Sequence, residues 1–208
     1  PLANSVACCA VYDGILAGES DKAPARIEIR GLRLLLPRSS VLDGLDTEVE
    51  KMFFESIQRL SKAGAIVTEV AVPSFDRQAE YFKGGGFSGA EAYHVHRPYL
   101  DRLAEYDPRV AKRVLMGKDL SAAEYVEIGR LRAAFIREVE ALAAPYDAIV
   151  MPTVACVAPT IADADRSDED FFRWNARILR NNGLINFLDG CAVTLPCHAG
   201  GAPVGLMV

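Results

Sequence analysis

No apolar stretch of the chain approaches the ~20 residues that a membrane-spanning helix requires, and no charged start followed by an apolar core marks a signal peptide. A start at Pro1, without methionine, would hide such a signal. A cytoplasmic, water-soluble parent is therefore the expectation. Basic blocks are also missing: the net charge of -5 is spread along the chain, so there is no electrostatic footprint for a phosphate backbone and no direct nucleic-acid partner is expected. Cysteine is sparse and odd in number, at Cys8, Cys9, Cys156, Cys191 and Cys197, with no CxxC pair. Their apolar neighbours predict reduced core thiols, with neither a disulfide nor a zinc site.

What is present is an ordinary globular balance, 50% hydrophobic and 25% charged over 208 residues, enough to bury a sizeable core. The pattern alternates helix and strand. An apolar helix is predicted over Ser5 to Leu16, ending at Gly18, followed by a polar loop from Glu19 to Glu28. Leu32 to Leu36 reads as a short strand closed by Pro37. Thr47-x-x-Glu50 reads as a capping box for a helix with Val49, Met52, Phe53, Ile57 and Leu60 on one face and Gly64 at its end. Ala65 to Val72 is β-branched and stops at Pro73, which makes the stretch from Leu32 a strand, helix, strand unit that must cross over into a parallel pair.

Ser121-x-x-Glu124 repeats the capping chemistry and opens the longest helix, with Tyr125, Ile128, Leu131, Phe135, Val139 and Leu142 as its apolar stripe. Ala148 to Met151 is apolar without alternation, as in a strand buried on both faces, and ends at Pro152-Thr153. A helix over Asp168 to Asp189 precedes two strands, Ala192 to Leu195 and Pro203 to Val208, linked through Gly200-Gly201. The fold class these blocks define is α/β, with a mixed, largely parallel sheet covered by helices.

Four sharper patterns do not survive inspection. Gly86-Phe87-Ser88-Gly89-Ala90 is one residue short of a nucleophile elbow, with Asp147 and His198 following in hydrolase order, yet the charges from Asp76 to Lys83 fall at helix spacing where an elbow needs a strand. Gly84-Gly85-Gly86 lacks the Lys-Ser/Thr ending of a phosphate loop and reads as a helix interruption or ligand-adjacent turn. His94-Val95-His96 cannot share a helix face, and Cys197-His198 point to opposite sides of a strand, so neither a metal site nor a dyad is expected.

The ordered set of motifs resembles the C-terminal half of the amidase signature family, the serine amidases that include the glutaminase subunit of tRNA-dependent amidotransferases. The resemblance rests on Pro1-Leu2-Ala3-Asn4-Ser5-Val6, on Tyr106-Asp107-Pro108-x-Val110-x-x-Arg113 with Gly117 and Ser121-Ala122, and on Tyr146-Asp147 leading to Pro152-Thr153 and Pro159. Leu179-Arg180-Asn181, Asn186, Leu195-Pro196 and Pro203-x-Gly205-Leu206 complete it. Asn4, where the family commonly has arginine, and Cys8, where it has aspartate, are departures that leave the subfamily open.

The resemblance implies residues 1–208 as a partial amidase domain, part of an amidase-type α/β/α sandwich. It also implies a lysine, a bridging serine and a nucleophilic serine, all upstream of Pro1. In that chemistry the nucleophile attacks an amide carbonyl, the lysine takes its proton through the second serine, and backbone amides hold the oxyanion. No lysine here, from Lys22 to Lys118, has the glycine- and serine-rich setting this needs, so no catalytic residue is expected within the chain. Ending inside the apolar run Pro203 to Val208, it is expected to be inactive alone and to need the missing N-terminal half of its domain.

Within this half the resemblance assigns Arg113 to a substrate carboxylate, which a planar guanidinium can grip through both oxygens. A plain surface arginine is the alternative. Arg180 and Asn186 are further candidates for lining the substrate pocket, with bracing of their helix as the alternative. The expected partner is a small amide, with no cofactor or metal, and a homo-oligomer is possible. The glutaminase subunit of an amidotransferase and a non-catalytic interaction module remain as other readings.

Overall fold

Residues 1–19, 26–198 and 200–208 are described by a computed structural model of the chain. The polar loop expected from Glu19 to Glu28 falls mostly on residues 20–25, outside the described residues, as does Lys22.

The sheet grows from the Leu-rich segment β1 (Arg33–Arg38), whose side chains alternate between two apolar layers. β1 pairs in parallel with β2 (Ile66–Ala71) on one side and with β3 (Ala148–Ile149) on the other. Helix α2 (Thr47–Lys62) joins β1 to β2, as a parallel pair requires. Beyond Val150 the extended chain changes partner. β4 (Met151–Pro152) runs antiparallel to β6 (Gly205–Met207), which is paired in turn with β5 (Thr194–Pro196). The extended segment 148–152 thus contributes a strand to each of two three-stranded sheets, a parallel one ordered β2-β1-β3 and an antiparallel one ordered β4-β6-β5, where the sequence predicts a single mixed sheet.

Leu34, Leu36, Val150 and Leu206 bury against Phe53 and Ile57 of α2. On the opposite side Leu35, Met151 and Met207 bury against Ile128, Phe135 and Val139 of α6 (Ala122–Ala143) and Leu184, Ile185 and Phe187 of α8 (Asp168–Leu188). The result is an α/β/α arrangement. Between α2 and α6 lie α3 (Gln78–Tyr81), α4 (Gly86–His96) and α5 (Pro108–Leu115), with α7 (Ile161–Ala164) before α8. The N-terminal helix α1 (Val6–Leu16) is capped by Ser5 but buries no residue, and Leu16 is 77% exposed.

Several expectations need correcting, each for a physical reason. Pro37 does not close β1 but lies inside it. The Leu35 carbonyl accepts from the Val150 N–H, so residue 37, two further on, faces the same side, where the partner chain has already turned toward β6 and needs no donor. Thr47-x-x-Glu50 is not a capping box: Asp46 is the N-cap residue, and its carboxylate is turned away to accept from the Val157 N–H at 3.0 Å and from Arg177 at 2.5 Å. The tertiary ion pair outcompetes the local cap. Ser121 and Glu124 do form the reciprocal box. Of the cysteines only Cys156 is buried, where desolvation raises its thiol pKa, while Cys8 and Cys191 are exposed.

The glycine triplet is a packing device. Gly84, Gly85 and Gly86 all have positive φ, turning the chain from α3 into α4. A β-carbon on Gly89 would stand 2.4 Å from the Gly84 carbonyl oxygen, and one on Gly117 would stand 2.0 Å from the Gly89 oxygen. Substituting Gly117 by Ala should cost about 3 kcal/mol, because backbone on both sides must move; thermal unfolding of the variant measures it.

Two surface carboxylates are held below their ordinary range by neighbouring cations. Lys83, followed by Ser121, holds Glu124 at about 2, and Arg166 does the same chiefly for Asp170, also at about 2. Depressed carboxylates stabilise above their ordinary values and lose that contribution as pH falls through the folded value. The melting temperature should therefore hold above about pH 5 and drop toward about pH 2, the drop being smaller in a Glu124→Gln, Asp170→Asn double variant and in high salt.

Candidate substrate-binding face

Helix α8 has two working sides. Residues 175, 179, 182 and 186 recur at helical spacing and form one stripe, while Arg177, Asn181 and Leu184 point the opposite way. The inner side is stitched to the sheet. Asn181, 0% exposed, donates through Nδ2 to the carbonyls of Val41 at 3.2 Å and Pro152 at 2.7 Å, and its Oδ1 accepts from Arg180 Nε at 3.1 Å. Arg177 donates to the Gly44 carbonyl and to Asp46. Together these bonds tie α8 to the loops leaving β1 and β4, at the carboxyl edge of the parallel strands, where open α/β sheets form their clefts.

Arg180 belongs to this bracing side. Its guanidinium donates to the carbonyls of Asp43 at 2.8 Å and Val41 at 3.1 Å, and burial lowers its pKa against the opposing pull of Asp43. Every nitrogen of the fork has a partner in the protein.

Arg113 and Asn186 sit on the outer side. Arg113 lies on α5, which Asp107 caps by accepting from the Arg109 and Val110 N–H groups, with Pro108 in the first turn. Arg109 bonds Asp165 at 2.7 Å and Asp168 at 3.2 Å and stacks over Phe171 with its Cζ 4.4 Å from the ring centre. Lys112 also pairs with Asp168. Arg113 donates to Oδ1 of Asn175, the first residue of the outer stripe. Asn186, exposed, is at the other end, about 16 Å away along the helix axis. Between them Leu179 is 45% exposed, and Gly183 lies beneath Phe82, whose ring would be 3.3 Å from an added β-carbon.

Arg113 therefore meets the near end of the outer stripe at Asn175 and Asn186 lies at its far end, while Arg180 is on the other side of the helix. The sequence reading missed Asn175, whose spacing of four and eleven residues to Leu179 and Asn186 was the available signal. It also missed Asn181 as the buried anchor. Two cavities, one of about 330 Å³ beside His94, Arg97 and Pro98 and one of about 200 Å³ between Val139, Glu140, Ile149 and Leu188, are lined by none of these residues.

The rejected motifs are placed elsewhere. Ser88 is on the exposed side of α4 with no strand before it. Asp147 is committed to Arg33 through side chain and backbone, and His198 to the backbone of Val204. His96 shares a 2.9 Å bond with Tyr106. Among the described residues no group of three or more His, Cys, Asp or Glu is placed to hold a metal ion, and no helix is long and apolar enough to cross a membrane.

A mixed α/β core with an open, cationic helix face defines the structural class, and comparison with known proteins gives the family. The model described as Amidase matches residues 14–208, and the chain belongs to that family. It is 29% identical over 193 residues to 2-amino-5-chloromuconic acid deaminase of Comamonas testosteroni, covering 89% of this chain and 41% of that protein. It is 26% identical over 204 residues to a glutamyl-tRNA(Gln) amidotransferase subunit of Clostridium botulinum (strain Eklund 17B / Type B), covering 86% and 41%. The urea amidolyase of K. lactis superposes with a TM-score of 0.74 at 20% identity, over 85% of this chain and 11% of that one, and shares the fold. The chain spans about two fifths of the length of the curated relatives it matches.

Replacing Asn181 by Leu should cost about 3 kcal/mol, since the buried Pro152 carbonyl and Arg180 Nε lose their partner and the Val41 carbonyl keeps only Arg180. Chemical denaturation measures this. Asn186→Ala, on the exposed end of the outer stripe, should leave stability within about 0.5 kcal/mol of the parent.

Proposed function

We propose that this chain is the substrate-binding and sheet-completing part of an amidase domain that hydrolyses the C–N bond of a carboxamide through a serine acyl-enzyme. In that scheme a serine oxygen adds to the amide carbonyl, its proton passes through the Lys-Ser relay to the departing nitrogen, and water then cleaves the ester to release the acid. The three relay residues belong to the part of the domain that precedes this chain. Family membership supports the reaction class.

The observation that carries the substrate side is Arg113, a guanidinium on an open helix face with no carboxylate partner among the described residues. A carboxylate on the substrate would complete its charge-assisted pair. Arg180, fully engaged by carbonyls, is read as a brace, and Asn186 as the far edge of the same wall. The name of the Comamonas relative, which specifies a muconic acid, suits a carboxylate-bearing substrate. Kinship with amidotransferase subunits favours a second reading, a glutaminase within a larger complex. We place the protein in the cytoplasm, and the exposed apolar residues of α1, Tyr12, Ile15 and Leu16, are read as contacts for the rest of the domain or for a second copy.

The 208-residue chain should by itself hydrolyse no amide and should associate as its concentration rises. Light scattering and ammonia release check both. Joined to the preceding part of its domain it should release ammonia from a carboxylate-bearing amide, and Arg113→Ala should raise KM for that substrate by about tenfold or more. Amide turnover by the chain alone would overturn this reading.

A further inference from the structure

Helix α5 carries three cations within five residues, Arg109, Lys112 and Arg113, all against the start of α8. Two are met by carboxylates, Arg109 by Asp165 and Asp168 and Lys112 by Asp168. The third is met by an amide, the Oδ1 of Asn175. The difference matters chemically. A carboxylate at 175 would fix the guanidinium but cancel its charge, whereas an amide oxygen accepts one N–H, orients the planar fork and leaves the charge and remaining donors for something else.

We propose that Asn175 is a positioning residue, which holds Arg113 ready without neutralising it, and that the site it serves takes an aliphatic amide bearing one free carboxylate. The inference rests on the reading of Arg113 given above and adds the residue that sets its charge state. The rest of the stripe fits such a substrate. Leu179 offers an exposed apolar surface next to Asn175, the Asn182 amide is turned back to the Ile178 carbonyl at 3.4 Å, and Gly183 is covered by the Phe82 ring. None of these three supplies a second charge, so the substrate body between carboxylate and scissile amide is uncharged.

The test uses the full-length protein that carries this chain, with succinamate and butyramide as probes; both are primary amides, and only the first has a carboxylate. The unsubstituted protein should prefer succinamate. Asn175→Asp should raise KM for succinamate by about tenfold, with kcat held within about twofold and butyramide unaffected, because the new carboxylate competes for Arg113. Asn175→Gln, which keeps an amide, should recover part of the loss, and melting curves establish that both variants are folded. An unchanged succinamate KM in Asn175→Asp, or an equal loss on both probes, overturns the role of Asn175. Arg113→Ala separates the two roles. If it abolishes the succinamate preference while Asn175→Asp does not, only the positioning role fails. If it changes neither probe, or if the unsubstituted protein treats both probes alike or turns over neither, the reading of Arg113 fails and the role of Asn175 with it.

Discussion

One buried amide sets the geometry on which the rest depends. Asn181 reaches the carbonyl of Val41, just past β1, and that of Pro152, at the end of β4, and so fixes the distance between two loops that leave the carboxyl edge of the sheet. Neither carbonyl has a strand partner there, and burying them without one would be costly. Arg180 and Arg177 extend the same solution to Asp43, Gly44 and Asp46. Because these residues occupy one side of α8, the opposite side is presented outward in a fixed register.

That outward side turns a packing arrangement into a candidate site. Arg113 is aligned to the stripe by Asn175, while the neighbouring cations Arg109 and Lys112 are spent on Asp165 and Asp168 in docking α5. The close approach of Gly117 to Gly89 brings α4 against the end of α5, and the positive-φ glycines before α4 permit it. Fold and site thus draw on the same contacts. A change at Gly117 or Asn181 should disturb the candidate face without touching it.

Much of this was legible in the sequence, for identifiable reasons. The alternation of Leu34, Leu35 and Leu36 between two apolar layers follows from the period of a strand, and the Ser121 box and the α8 span were readable because their signals are local. The Asp46 cap was not, because its carboxylate bonds Arg177, distant in sequence. Nor was the place of Pro37, which depends on where the neighbouring strand turns away. For the candidate site, Arg113 was singled out through the family pattern, and Asn186 lies at the far end of the helix stripe that Arg113 meets at Asn175. Arg180 looked equivalent by type, yet the side of α8 it occupies is decided by the loops at Val41 and Asp43, which no local pattern reveals.

The proposed function turns on what the outer face of α8 touches. The most direct measurement is a crystal structure of the full-length protein with a slowly hydrolysed, carboxylate-bearing amide bound. The substrate carboxylate should lie within hydrogen-bond distance of the Arg113 guanidinium, with its apolar body along Leu179 and its amide directed at a serine outside this chain. A substrate carboxylate bound away from α5 and α8, with Arg113 left facing solvent, would contradict it.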